Sequence, residues 1–269
     1  MSHSSEWDFP NTATEPGSAA YYVVRFSPKG QQNTLARWFA WFEHIDSLAA
    51  KANDPGVARL KLDWWREETR NLLLDQGRHP LAEALSAQVT SQQQVQQMHR
   101  ALDAIEQRIL RHTPRTLEEY HQQCGDQFAS RLHLLCGNKA GDQDERIEAL
   151  GRQVATASRL AALGADLRDD YLSLPQTMLA KHGLKAEQLL GAEKRQVLNE
   201  LGAQLLDTEG QPNTADLRQI ANHESLQPAI RYAAQSFRLA RLLKKRRFDP
   251  DQHHQLTPIG LLWSAWRMR

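Results

Sequence analysis

The chain reads as all-α, one helical bundle in a single domain. Helix formers, chiefly Ala, Leu, Gln, Glu and Arg, dominate almost every segment, and no run of alternating β-branched residues offers a strand. Proline and glycine stand mostly at intervals that leave helix-length stretches between them: Pro28, Pro55, Gly77 to Pro80, Pro114, Gly137 to Gly141, Pro175, Gly210 to Pro212, Pro228 and Pro250. With 269 residues, 41% of them hydrophobic and 24% charged, the chain has the length and composition to bury a substantial core.

Taken in order, residues 1–17 carry Glu6, Asp8 and two prolines and lack the apolar core of a secretory signal, so a loose arm is expected there, followed by a helical domain over 18–269. In the next segment Trp38, Trp41, Phe42 and Ile45 recur at i, i+3, i+4, i+7, the stripe of a helix that packs inward, with Asp46 at its edge. The run from Ser91 to Gln97 is a solvated helix start. Cys124 and Cys136 fall in one helical stretch without CxxC spacing, which implies buried thiols and a reducing compartment. The longest uninterrupted run begins after Asp144. Ile147, Leu150, Val154, Ala157, Ala161 and Ala165 trace its buried face, and one more turn brings Arg168 and Asp169 onto the same side. Burying such charge without a partner costs several kcal/mol, so the two either pair or line a polar cavity. Asp166 and Asp170 add an i, i+4 pair. Such a cluster serves either as metal ligands facing across a bundle or as a solvated helix end.

Several classes are excluded. A net charge of +1 gives no global field for nucleic acid. No Walker loop, GxGxxG turn, GxSxG elbow, HExxH helix or Cys/His zinc spacing is present. The longest uncharged apolar stretch near the end, Leu256 to Trp266, is far short of the roughly 20 residues that span a bilayer. Lys244 to Arg247 form a basic run, which is either the solvated end of a helix or an attraction to anionic lipid. Trp64, Trp65, Trp263 and Trp266 are candidates for interfacial anchoring or for packing.

AYYVVRFSP (residues 20–28), RWFAWFEHID (37–46), LDWWREE (62–68) and RHPLAEAL (78–85) together resemble the opening of squalene/phytoene synthase family proteins. EEYHQQCG (118–125) is similar to that family's middle helix, and LRDDYLSLP (167–175) to its second acidic motif. KHGL (181–184) and PIGLLWSAWR (258–267) fit the later turns. The resemblance implies an isoprenoid-synthase bundle whose central cavity binds isoprenoid diphosphates. It also implies Mg²⁺ held by acidic motifs on facing helices, since ionising an allylic diphosphate loads negative charge on the leaving group. Carried over, it gives Asp46, Arg168 and Asp169 as catalytic, and Tyr22, Arg25 and Tyr171 as substrate-binding. Asp46, Asp166, Asp169 and Asp170 are then the metal ligands if the chain is active.

The motifs depart from the family's pattern. Ser47 and Ala50 stand where two further aspartates belong, Glu43 where an arginine belongs, and Ala165 where an asparagine or aspartate belongs. The chain therefore also resembles the family's non-catalytic branch, which includes a mitochondrial assembly factor for respiratory complex I. There both motifs are eroded while the Trp-Trp-Arg and His-Pro signatures persist. The expectation is a protein in the cytoplasm or peripheral at the inner face of a membrane that binds an isoprenoid diphosphate or prenyl lipid; head-to-head transfer is in question. The alternative is an assembly factor or scaffold for a protein client.

Overall fold

The structure, a computed structural model, describes residues 6–50, 54–137, 143–190, 195–208 and 224–268. Every regular element among them is helical, as the composition predicts. The α-helices are α1 (Ala19–Arg25), α2 (Lys29–Ala50), α3 (Pro55–Asn71), α4 (Pro80–Ser86), α5 (Gln92–Ile109), α6 (Leu117–Cys124), α7 (Ser130–Cys136), α8 (Asp144–Arg168), α9 (Gln176–Lys181), α10 (Arg195–Thr208), α11 (Gln227–Lys245) and α12 (Pro258–Trp266). A π-helical turn, Gly125–Ala129, joins α6 to α7 without a break. Of the punctuating residues, 138–141 and 210–212 lie outside the described chain.

Several prolines read as breaks are helix starts, where the missing N–H costs nothing. Pro55, Pro80, Pro228 and Pro258 all sit in first turns. Polar caps complete these and other starts: Asp54 accepts from Gly56 N at 2.7 Å, Ser91 from Gln94 N at 3.2 Å and Thr257 from Gly260 N at 3.2 Å. The α2 stripe behaves as its period demands, with Trp38, Trp41, Phe42 and Ile45 all buried. Cys124 and Cys136 are buried and not joined in a disulfide, and burial pushes the Cys136 thiol up to about 12, which makes it unreactive.

The Trp-Trp-Arg and His-Pro signatures have structural work. The Trp65 ring lies 5.0 Å from those of His44 and His79. Arg66 joins α3 to α5 through Asp103 at 2.6 Å and Glu106 at 2.7 Å. The buried Glu68 carboxylate accepts from the backbone N–H groups of Arg78 and His79, and His79 Nδ1 caps α4 by accepting from Leu81 N at 3.1 Å. Trp65 is thus core, and among the four candidate anchoring indoles only Trp64, Trp263 and Trp266 are exposed.

Residues 6–17 fall in the segment expected as a loose arm, and here they are tied to α2. Arg37 pairs with Asp8 at 2.8 Å, Asn11 Nδ2 donates to the Ala36 carbonyl at 3.1 Å, and the Phe9 ring meets Tyr21 at 5.3 Å. Residues 1–5 lie outside the described chain.

One close approach in the bundle is where α8 crosses the π-turn. A Cβ on Gly151 would fall 2.4 Å from both the Cα and the N of Ala129, which are backbone atoms that cannot swing aside. Gly151→Ala is therefore expected to lower stability by roughly 3 kcal/mol, read from the urea midpoint. Gly30→Ala in α2, with nothing within 4 Å of the new methyl, should be neutral or slightly stabilising.

Candidate functional site

A cavity of about 350 Å³ lies between α2, α5, α6, the π-turn, α7 and α8. Its deepest charged group is Arg131, only 5% exposed, on α7. The guanidinium takes both oxygens of Asp46, Nη1 to Oδ2 at 2.9 Å and Nη2 to Oδ1 at 2.7 Å, and it stands 5.3 Å from the ring centres of Phe42 and Phe128. Burial works against the Arg131 charge, but the fork of Asp46 outweighs it and holds the group protonated well into alkaline solution. Behind this pair Trp38 stacks on Phe42, Phe39 meets Tyr232, and Tyr232 stacks on Phe128, so aromatic rings fill the centre of the bundle.

Helix α8 presents Ser158, Arg159, Ala162 and Asp166 to the cavity, one helical face taken turn by turn. Arg159 reaches the side-chain oxygens of Gln123 at 3.4 Å and Gln127 at 3.3 and 3.4 Å, over the Tyr120 ring at 5.4 Å. Within the described residues it has no carboxylate at 4.0 Å or less. The Asp166 carboxyl is pushed above its ordinary range by burial and by Asp169, against the pull of Arg108, Ser173 and Arg159. The other cavity carboxylates already face cations or a histidine: Asp46 faces Arg131, Asp103 faces Arg66, Asp126 faces Arg100 and Glu119 faces His112. Arg108 and Arg159 line the cavity without an ion pair at 4.0 Å or less among the described residues, and Asp166 is the carboxylate whose charge they favour.

Of the residues singled out from the sequence, Asp46, Asp166 and Tyr171 line this cavity. Arg168, Asp169 and Asp170 do not. Gly164, one turn before Arg168, lies so close to the loop after α11 that a Cβ there would overlap the Pro250 carbonyl. That loop covers the Gly164–Arg168 side of α8, and Arg168 points along it, 3.4 Å from Pro250 O and 4.0 Å from Asp251. Asp169 caps α8 and its carbonyl accepts from Arg111 at 2.7 Å, while Asp170 sits exposed in the left-handed region at φ 55°. The expected facing of Asp46 by Arg168 is thus corrected to Arg159 and Asp166. The buried face of α8 rotates along its length, from Ile147, Leu150 and Val154 to Leu160, Leu163 and Leu167, so Ala165 is exposed. Tyr22 and Arg25 stand on α1 outside the cavity, Tyr22 edge-on to Tyr21 and Arg25 exposed at the helix end.

Sequence reading missed Arg131, Arg159 and the amides Gln123 and Gln127. The spacing Ser158, Ala162, Asp166 is the signal that points to the correct register.

A second cavity, of about 660 Å³, is lined by Tyr232, Gln235 and Leu239 of α11, by Leu256, Pro258 and Leu261, and by Ser158, which also lines the first.

The family model for squalene/phytoene synthase matches residues 13–260. The chain belongs to the squalene/phytoene synthase family. Its fold is similar to that of a solved dehydrosqualene synthase in complex with ligand, at TM-score 0.75 and 14% identity over 92% of this chain and 90% of that one. It is also similar to squalene synthase HpnC from Alicyclobacillus acidocaldarius, at TM-score 0.69 and 15% identity over 88% of this chain and 92% of that one. No curated protein sequence matches the chain.

The residues present do not fit the magnesium cluster that squalene/phytoene synthase family membership implies. Mg²⁺ needs oxygen ligands near octahedral geometry. Both Asp46 oxygens are held by Arg131, and Ser158 and Ala162 occupy the turns of α8 before Asp166. Among the described residues no group of three His, Cys, Asp or Glu side chains could hold a metal ion.

One electrostatic node holds the cavity wall. Glu148 of α8 takes Arg100 Nη1 at 2.8 Å and His133 Nε2 at 3.2 Å, and Arg100 also holds Asp126 at 3.1 Å. Burial raises the Glu148 carboxyl, but the bonds from His133 and Arg100 overcome it and bring it down to about 2. Because the folded value lies below the unfolded 4.5, the stabilisation is complete above pH 4.5 and disappears as the pH falls towards 2. The difference in urea midpoint between wild type and Glu148→Gln is expected to be constant above pH 4.5 and to shrink below it.

Proposed function

We propose that this family member binds an isoprenoid diphosphate or a related prenyl lipid without joining two of them. The observation that carries the reading is the engagement of Asp46 by Arg131: the first acidic motif's carboxylate already has a buried cation and is not free to hold a metal. Arg159 and Arg108 offer charge to a diphosphate, with Gln123 and Gln127 orienting the Arg159 fork. Charge-assisted bonds to phosphate oxygens suit a guanidinium's planar donors. Ser158 lines both cavities, so the second, lined by Leu239, Leu256 and Leu261, adjoins the first and offers apolar surface for a prenyl chain. The departing charge of an ionised diphosphate would be met by arginine alone, which supports retention more readily than turnover.

The second reading, a non-catalytic assembly factor or scaffold, draws support from the exposed α3 stripe of Val57, Leu60 and Trp64 at i, i+3, i+7, a surface suited to a protein client. The two readings separate by calorimetry with farnesyl diphosphate and farnesol, with and without Mg²⁺, beside an assay for released diphosphate. The expected result is binding that favours the diphosphate, weakened about tenfold or more by Arg159→Gln, with no magnesium-dependent release. Turnover abolished by Asp166→Asn would overturn the non-catalytic reading, and absence of binding by either ligand would leave the scaffold.

A further inference from the structure

Helix α12 exposes Ile259 (77%), Leu262 (39%), Trp263 (51%) and Trp266 (49%). Their spacing is i, i+3, i+4, i+7, so they form one apolar stripe facing away from the bundle. The opposite side, Gly260, Ser264 and Ala265, is buried where α12 packs on α1 and α11. The two indoles lie 5.3 Å apart, a continuous aromatic surface.

The helices that pack around this stripe carry charge of one sign. None of α1, α11 and α12, which pack on one another, contains an Asp or Glu. They contribute Arg25, Arg238, Arg241 and Lys245, and Arg267 follows α12. Arg238 lies across α12 itself, its Nε 3.4 Å from where a Cβ on Gly260 would be. In a chain of net charge +1 this is local segregation. The nearest acids in sequence are Glu15 before α1, which is exposed, and Asp249 and Asp251 after α11, which Arg195 engages. The basic run Lys244 to Arg247 contributes less than its sequence suggests, since Lys244 pairs with Asp207 at 2.7 Å and Arg246 donates to the His253 carbonyl at 2.9 Å. The exposed stripe of α3 differs, being set among Arg59, Arg66, Asp63 and Glu106 in mixed ion pairs.

An occupant of the α12 face must bury four large apolar side chains and accept positive charge around them. A second copy of this chain meeting it symmetrically would set one basic flank, with Arg238 and Arg241, against another basic flank or leave both beside an apolar seam. An anionic bilayer supplies both requirements, an apolar interior and acidic headgroups, and indoles favour its interface. Among the described residues no helix is long and apolar enough to cross a membrane, and the nine residues of α12 can only lie along one. We propose that α12 lies in the interface of an anionic lipid bilayer, with Ile259, Leu262, Trp263 and Trp266 inserted and Arg238 and Arg241 on the headgroups.

The test is flotation of the full chain, without prenyl ligand, on vesicles of phosphatidylcholine alone or mixed with phosphatidylglycerol, at low and physiological salt. It is independent of what the cavities bind. Binding is expected on the mixed vesicles, weaker in higher salt, and lost when Trp263 and Trp266 are both changed to Ser. Arg238→Gln and Arg241→Gln should each weaken it about fivefold, the equivalent of about 1 kcal/mol per basic residue at an anionic surface. All four side chains are at least partly exposed, and circular dichroism checks that the variants stay folded. Equal binding to both vesicles, or binding indifferent to the tryptophan pair, would overturn the proposal. So would a wild-type dimer, seen by sedimentation, that the tryptophan variant dissolves, because the occupant would then be a second copy.

Discussion

A guanidinium buried between two phenyl rings is tolerable only with a carboxylate in hydrogen-bonding register, and the pairing of Arg131 with Asp46 is the constraint from which the rest of the centre follows. It ties α2 to α7 across the bundle and fixes Phe42 and Phe128 on either side. Through those rings it orders the contacts of Trp38, Phe39 and Tyr232. It also settles the electrostatics of the cavity. With Asp46 neutralised by a cation in its own wall, the cavity groups left without an ion pair among the described residues are Arg108, Arg159 and Asp166.

Backbone geometry places the other half of the site. The π-turn inserts an extra residue into the continuous helix from Leu117 to Cys136 and turns Asp126, Gln127 and Phe128 towards the cavity. Its Ala129 meets Gly151 at a distance that leaves no room for a methyl, so α8 has one permitted azimuth there. A second close approach, Gly164 to Pro250, holds the far end. Between these two contacts the face carrying Ser158, Arg159, Ala162 and Asp166 is directed inward.

The final helix links this interior to the surface. Pro258 and Leu261 line the second cavity while Ile259, Leu262, Trp263 and Trp266 face out, so α12 is at once a cavity wall and an apolar exterior. The helix is short, and a single residue step, from Pro258 to Ile259 or from Leu261 to Leu262, separates a side chain that lines the cavity from one on the exterior.

The all-helical class and the inward stripe of α2 were legible in the sequence because both depend on local periodicity and composition, as was family membership from motif order. The persistence of Trp65, Arg66, His79 and Pro80 was visible too, but their role as ring packing, an α3–α5 tie and a cap emerged only with the neighbours in place. Site residues were legible in part. Asp46, Asp166 and Tyr171 line the cavity, whereas Arg168 and Asp169 were drawn in by extrapolating one helical face past the point where its partner changes, and Asp170 by its i, i+4 spacing from Asp166. Arg131 sits in an apolar helix, where a buried charge must find a partner, but nothing local names that partner, a carboxylate 85 residues earlier. The sequence by itself determined which segments become helices and which side of each is apolar, because those are set by residues within a few turns. Only the tertiary structure decided which charges meet, because that depends on the azimuth of each helix, which close contacts between distant backbones impose.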